Sequence, residues 1–68
     1  MQLREYLKSN NYTQMSFIQE IKEQRDIQIP QGTLAKWITG IRIPRKKEML
    51  VLMDVTNGQV QPNDFYVE

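Results

Sequence analysis

The chain has 68 residues, nine Lys+Arg against eight Asp+Glu, and neither Cys nor His, which leaves a formal net charge of +1. A chain of this size forms one domain with a thin core and no disulfide to staple it, so the fold rests on packing alone. Without Cys or His the usual zinc sites, thiol nucleophiles and imidazole acid–base chemistry are excluded. No apolar run approaches the roughly 20 residues of a membrane span, and Arg4, Glu5 and Lys8 interrupt the start where a signal peptide needs its apolar stretch. A cytoplasmic protein with no membrane attachment is expected, and the absence of cysteine is compatible with a reducing compartment.

Leu3, Tyr6 and Leu7 recur at helical spacing and predict a first helix over 2–9, stopped at Asn10-Asn11. Thr13 is a good N-cap for a second helix that carries Phe17, Ile18 and Ile21 inward and Glu20, Lys22, Glu23 and Gln24 outward. Residues 26–30 read as a turn. Pro30 suits the first turn of a third helix, where its missing N–H costs nothing. In that helix Leu34, Trp37 and Ile38 fall at i, i+3 and i+4 and form one apolar stripe. Gly32, Lys36 and Thr39 are left on the opposite side, with Gln31 and Thr33 near the start. Trp37 could stack on a base, but its place on the stripe makes it a core residue. Gly40 ends the helix as a left-handed cap.

Pro44 and the triplet Arg45-Lys46-Lys47 open a fourth helix over 45–56, closed by Asn57-Gly58. Its run Met49-Leu50-Val51-Leu52-Met53 is too apolar all round for a surface helix, so either the tail covers its outer side or a second copy does. The tail over 59–68 reads two ways. Val60, Phe65, Tyr66 and Val67 could line a strand, or Pro62-Asn63-Asp64-Phe65 could start a helical turn. The fold expected is all-α, with four to five short helices in a single domain over 1–68 and a possible short C-terminal strand.

A net charge of +1 is poor support for a nucleic-acid binder, but the charge is segregated. The window 27–47 holds Lys36, Arg42, Arg45, Lys46 and Lys47 and no acid, so it carries +5 while the rest carries −4. A run of Lys and Arg is ordinarily a solvated surface. Beside an amphipathic helix with a dry back and a polar, cationic front, it fits a helix that enters a nucleic-acid groove.

Several segments together resemble a known family. Thr13-Gln14 opening a helix, the core from Leu34 to Trp37, Gly40, Pro44 and Thr56-Asn57-Gly58-Gln59-Val60 with Pro62 resemble the small Cro/repressor-type helix-turn-helix proteins. Leu3-Arg4-Glu5-Tyr6-Leu7 and the ending from Thr56 to Phe65 look most like the YdaS-like Cro branch of phages and prophages. The resemblance implies a lambda-repressor-like helix-turn-helix with the third helix as recognition helix. It also implies base contacts from Gln31, Gly32, Thr33 and Lys36, and phosphate contacts from Gln14, Arg42, Arg45, Lys46 and Lys47. In relatives the residue matching Gln14 often braces the one matching Gln31. One departure is clear: Gln14 and Gln31 stand 17 positions apart, farther than the resemblance implies, so the second helix is longer or the turn is looped.

Each residue type suits the role implied. Gln binds adenine N6/N7 in two places, Lys donates to guanine N7/O6, and Thr offers a hydroxyl or a methyl. Gly32 brings no side chain. Gln14 is either a phosphate contact at a helix N-terminus or an ordinary first-turn residue. The function expected is a sequence-specific transcriptional regulator that represses by occupying a double-stranded operator. It would act as a homodimer joined through the fourth helix or tail, with Leu52 and Phe65 at the interface. The alternative is a protein-interaction module on the same fold, such as an antitoxin-like partner. An enzyme is not expected, because Ser9 and Ser16 have no histidine and the acids show no paired spacing. No cofactor, metal or small-molecule ligand is expected.

Overall fold

In the computed structural model, which describes residues 1–66, the chain is all-α. Its helices are α1 (Leu3–Ser9), α2 (Gln14–Arg25), α3 (Gln31–Thr39) and α4 (Lys46–Val55), followed by a 3₁₀ turn over Pro62–Phe65. Among the described residues there is no strand. No helix of the described residues is long and apolar enough to cross a membrane. The arrangement is compatible with a small helix-turn-helix-like fold.

Three of the four α-helices begin on a local hydrogen bond that the sequence supplies. The Glu5 carboxylate accepts from the Gln2 N–H at 3.4 Å. Thr13 Oγ1 accepts from the Ser16 N–H at 3.0 Å while Ser16 Oγ accepts from the Thr13 N–H at 2.8 Å, a reciprocal cap that satisfies two otherwise free donors. In α4 the Glu48 carboxylate accepts from the Arg45 N–H at 2.9 Å. The start of α3 is different, with Pro30 as its N-cap, no side-chain cap bond and no acid in its first turn. The helices end on left-handed residues where the chain must turn: Asp26 (φ 56°) after α2, Gly40 (φ 83°) after α3, and Asn57 and Gly58 (φ 55° and 79°) beyond α4.

The separation between Gln14 and Gln31 resolves into both devices anticipated, a twelve-residue α2 and a looped connection over 26–30. Phe17, Ile21, Leu34, Leu52 and Val60 are the fully buried apolar side chains around which the helices pack. Tyr6, Tyr12 and Phe17 add an aromatic cluster, with the Tyr12 and Phe17 rings edge-on at 5.4 Å. Partly covered in this cluster, the Tyr12 phenol is pushed up, by loss of water first and by the Glu20 carboxylate and Tyr6 second.

The tail takes the helical-turn alternative, and the possible strand does not form in the described residues. Val67 lies outside them. Val60 is drawn into the core by Thr56, whose side chain is fully buried and whose hydroxyl donates to the Leu52 carbonyl at 2.7 Å and accepts from the Val60 N–H at 3.1 Å. Phe65 packs half-buried against the same core. The segment is closed by Asp64, whose carboxylate accepts from the Gln61 N–H at 2.8 Å and from the Met1 ammonium at 3.1 Å.

Leu52, expected at an interface between copies, is 1% exposed and packs within this chain. The apolar run of α4 sends Met49, Val51, Leu52 and Val55 inward and leaves Leu50 in solvent at 55% exposure. The run itself is apolar throughout, but its flanks choose the face: Lys46, Lys47 and Asp54 stand at i−4, i−3 and i+4 from Leu50, whereas Met49 and Val55 stand at i−3 and i+3 from Leu52.

Candidate nucleic-acid interface

The third helix is held from behind. Leu34 and Trp37 are buried and Ile38 is half-buried, and α3 packs on both α1 and α2. Trp37, at 2% exposure, is therefore core, and its indole N–H is buried without a hydrogen-bond partner. The opposite side of α3 is in solvent: Gln31, Gly32, Lys36 and Thr39 are exposed, and Thr33 and Ala35 are half-buried. This is the division of faces expected from the spacing of Leu34, Trp37 and Ile38.

The loop after α3 is tied to it. The Arg42 N–H donates to the Lys36 carbonyl at 3.2 Å, which sets the direction of the chain as it leaves the left-handed Gly40. Arg42, Arg45, Lys46 and Lys47 all have exposed side chains. Among the described residues the ion pairs are Met1–Asp64 and Arg25–Asp54, so no carboxylate within 4 Å neutralises these four cations or Lys36. Ile41, the most exposed large apolar side chain at 77%, stands in the same loop.

Packing of the 26–30 connection beside α4 opens a cleft of about 650 Å³, lined among others by Ile29, Pro30, Thr33, Arg42, Arg45 and Lys47. Four of the residues singled out in the sequence thus converge on one concave surface. The convergence is a property of the fold, since Thr33 and Lys47 belong to different helices. Gln14 is not brought into it. Half-buried, it begins α2, and the side-chain hydrogen bonds around α2 and α3 join Thr13 to Ser16, Gln19 to Glu23, Gln24 to Glu20 and Thr39 to its own helix. No bond among the described residues braces Gln14 against Gln31.

Two features of this surface were not assigned from the sequence. Gln28 is exposed and lines the cleft, where no period marks it because it lies in a loop. Thr39 falls on the polar side by spacing, but its hydroxyl turns back to donate to the Ala35 carbonyl at 3.0 Å and the Lys36 carbonyl at 3.4 Å. Chemically the surface offers five cations with no ion-pair partner among the described residues, with Glu48 the one acid lining the cleft, around a helix whose first N–H groups carry no side-chain cap, which suits a polyanion with readable polar edges.

No protein-family model, curated protein or solved structure matches the chain.

Proposed function

We propose that this chain is a sequence-specific DNA-binding regulator of transcription, of the Cro/repressor helix-turn-helix kind, that acts in the cytoplasm by occupying a double-stranded operator. The observation that carries the proposal is the exposed polar face of α3, backed by buried Leu34 and Trp37 and continued by four cations that no carboxylate of the described chain neutralises. On this account α3 lies in the major groove. Gln31 pairs with adenine N6/N7, Lys36 donates to guanine N7/O6, and Thr33 offers its hydroxyl or methyl. Arg42, Arg45, Lys46 and Lys47 hold phosphates, which supplies affinity and register without sequence information.

One helix with so few readers specifies too short a site to be found in a genome, so two copies on a two-fold axis bind a palindrome. The contact between copies falls on the partly exposed Phe65 rather than on Leu52, which is buried within its own chain. The test is backbone amide NMR during titration with duplex DNA at low salt. The amides of residues 31–36, 42, 43 and 45–47 should shift most. Shifts confined to the Leu50 side of α4 on adding a protein partner, with none on adding DNA, would favour an interaction module instead.

A further inference from the structure

A second cavity, of about 310 Å³, opens where the start of α1, the end of α3 with the loop after it, and the 3₁₀ turn meet. Its lining is of two kinds. Leu3, Trp37, Ile38 and Phe65 are apolar and buried or half-buried, whereas Arg4 and Arg42 are exposed and bring two guanidinium groups to the same space. Neither arginine is in an ion pair among the described residues. The negative groups nearby are already engaged: the Asp64 carboxylate accepts from the Gln61 N–H and the Met1 ammonium, and the Lys36 and Trp37 carbonyls accept from the Arg42 and Gly40 N–H groups. Trp37 adds a further feature. Its indole N–H, which can only donate, is buried and meets no acceptor among the described residues, and buried polar groups are ordinarily paired.

Two guanidinium groups on an apolar cavity select an anion with an apolar body. Arginine grips a carboxylate through paired N–H donors, and small-molecule sites combine apolar walls with a few placed polar groups. We propose that this cavity binds a small aromatic or aliphatic carboxylate, its oxygens held by Arg4 and Arg42, with one of them accepting from the Trp37 N–H and the hydrocarbon against Leu3, Ile38 and Phe65. The volume stands at the low end for ligand pockets, which limits the ligand to a single ring or a short chain. No one stretch of sequence marks the site, because α1, α3, the following loop and the 3₁₀ turn each contribute to it. It stands independently of what the exposed face of α3 reads.

The test is NMR titration of the nitrogen-15-labelled chain with phenylacetate, its neutral counterpart phenylacetamide, and acetate, which separate the charge from the apolar body. Phenylacetate should saturate with a Kd of about 1 mM. It should move the indole N–H resonance of Trp37, the one tryptophan, downfield and shift the amides of residues 2–4, 38–43, 64 and 65. Phenylacetamide and acetate should each bind about tenfold more weakly or worse. Arg4→Gln and Arg42→Gln change exposed side chains and should melt near wild type. Each should weaken phenylacetate about tenfold and leave phenylacetamide unchanged. No saturation by phenylacetate, equal binding of acid and amide, full affinity in both arginine variants, or an indole resonance that stays in place at saturation would overturn the proposal.

Discussion

Replacing Thr56 by valine tests how the tail is fastened to the core. The side chain is fully buried, and its oxygen is both donor to the Leu52 carbonyl and acceptor for the Val60 N–H. The Leu52 carbonyl keeps a partner after the change, because the Thr56 N–H also donates to it at 3.0 Å. The Val60 N–H loses its acceptor at a fully buried position, and a buried donor left unmade costs about 1–3 kcal/mol. For a domain of this size that is a fall of roughly 5 to 20 °C in melting temperature. Thr56→Ser keeps both bonds and loses one methyl, a cost of about 1 kcal/mol by comparison with Ile→Val changes. Thermal and urea unfolding of the two variants, followed by circular dichroism, should rank valine below serine. Amide exchange at Val60 should be fastest in the valine variant. A valine variant as stable as wild type, with Val60 still protected, would mean that Thr56 only fills space.

Three further outcomes are expected. Lys36→Ala should cost roughly 1–3 kcal/mol on the best DNA site and less on random duplexes, as measured by fluorescence anisotropy; equal losses would move Lys36 to the phosphates. Neutralising any one of Arg42, Arg45, Lys46 or Lys47 should weaken all sequences alike and reduce the salt slope by about 1, and a changed sequence preference at constant slope would contradict the phosphate assignment. At Asp64, burial would push the carboxyl up, but the Gln61 N–H bond and the Met1 ammonium hold it below its ordinary value. A depressed folded value means that its stabilisation is complete above the ordinary carboxylate range and drains away as pH falls below about 4. Asp64→Asn should flatten that acid loss in urea midpoints, and an unchanged acid slope would place the sensitivity elsewhere.

The four helices were legible because each carries a local code that packing only had to accept. Leu3, Tyr6 and Leu7, then Phe17, Ile18 and Ile21, mark inward faces at helical spacing, and Thr13 and Gly40 mark ends with the cap each performs. Where the code is silent the choice belongs to tertiary structure. Within Met49 to Met53 the run alone does not tell Leu52 from Leu50, and only the charged flanks Lys46, Lys47 and Asp54, one turn from Leu50, agree with the one being core and the other in solvent. Asp26 takes a left-handed conformation that glycine would have announced and aspartate does not. Thr56 reads as an ordinary helix end until Val60 is seen to depend on it.

The candidate interface divides in the same way. Its polar face and segregated charge follow from spacing, whereas the meeting of Thr33 with Arg42, Arg45 and Lys47 around one cleft follows from how the 26–30 connection lies beside α4. The bond implied between Gln14 and Gln31 is not made, and the looped connection between α2 and α3 is the local difference that accompanies its absence.

Selection of duplexes from a random DNA pool by the wild-type chain, followed by sequencing of the bound fraction, asks whether the exposed face of α3 reads DNA sequence. A regulator built on the α3 face predicts a reproducible motif that is an inverted repeat, its half-site centres about 34 Å apart or a multiple of that distance. A bound fraction indistinguishable from the starting pool would contradict it.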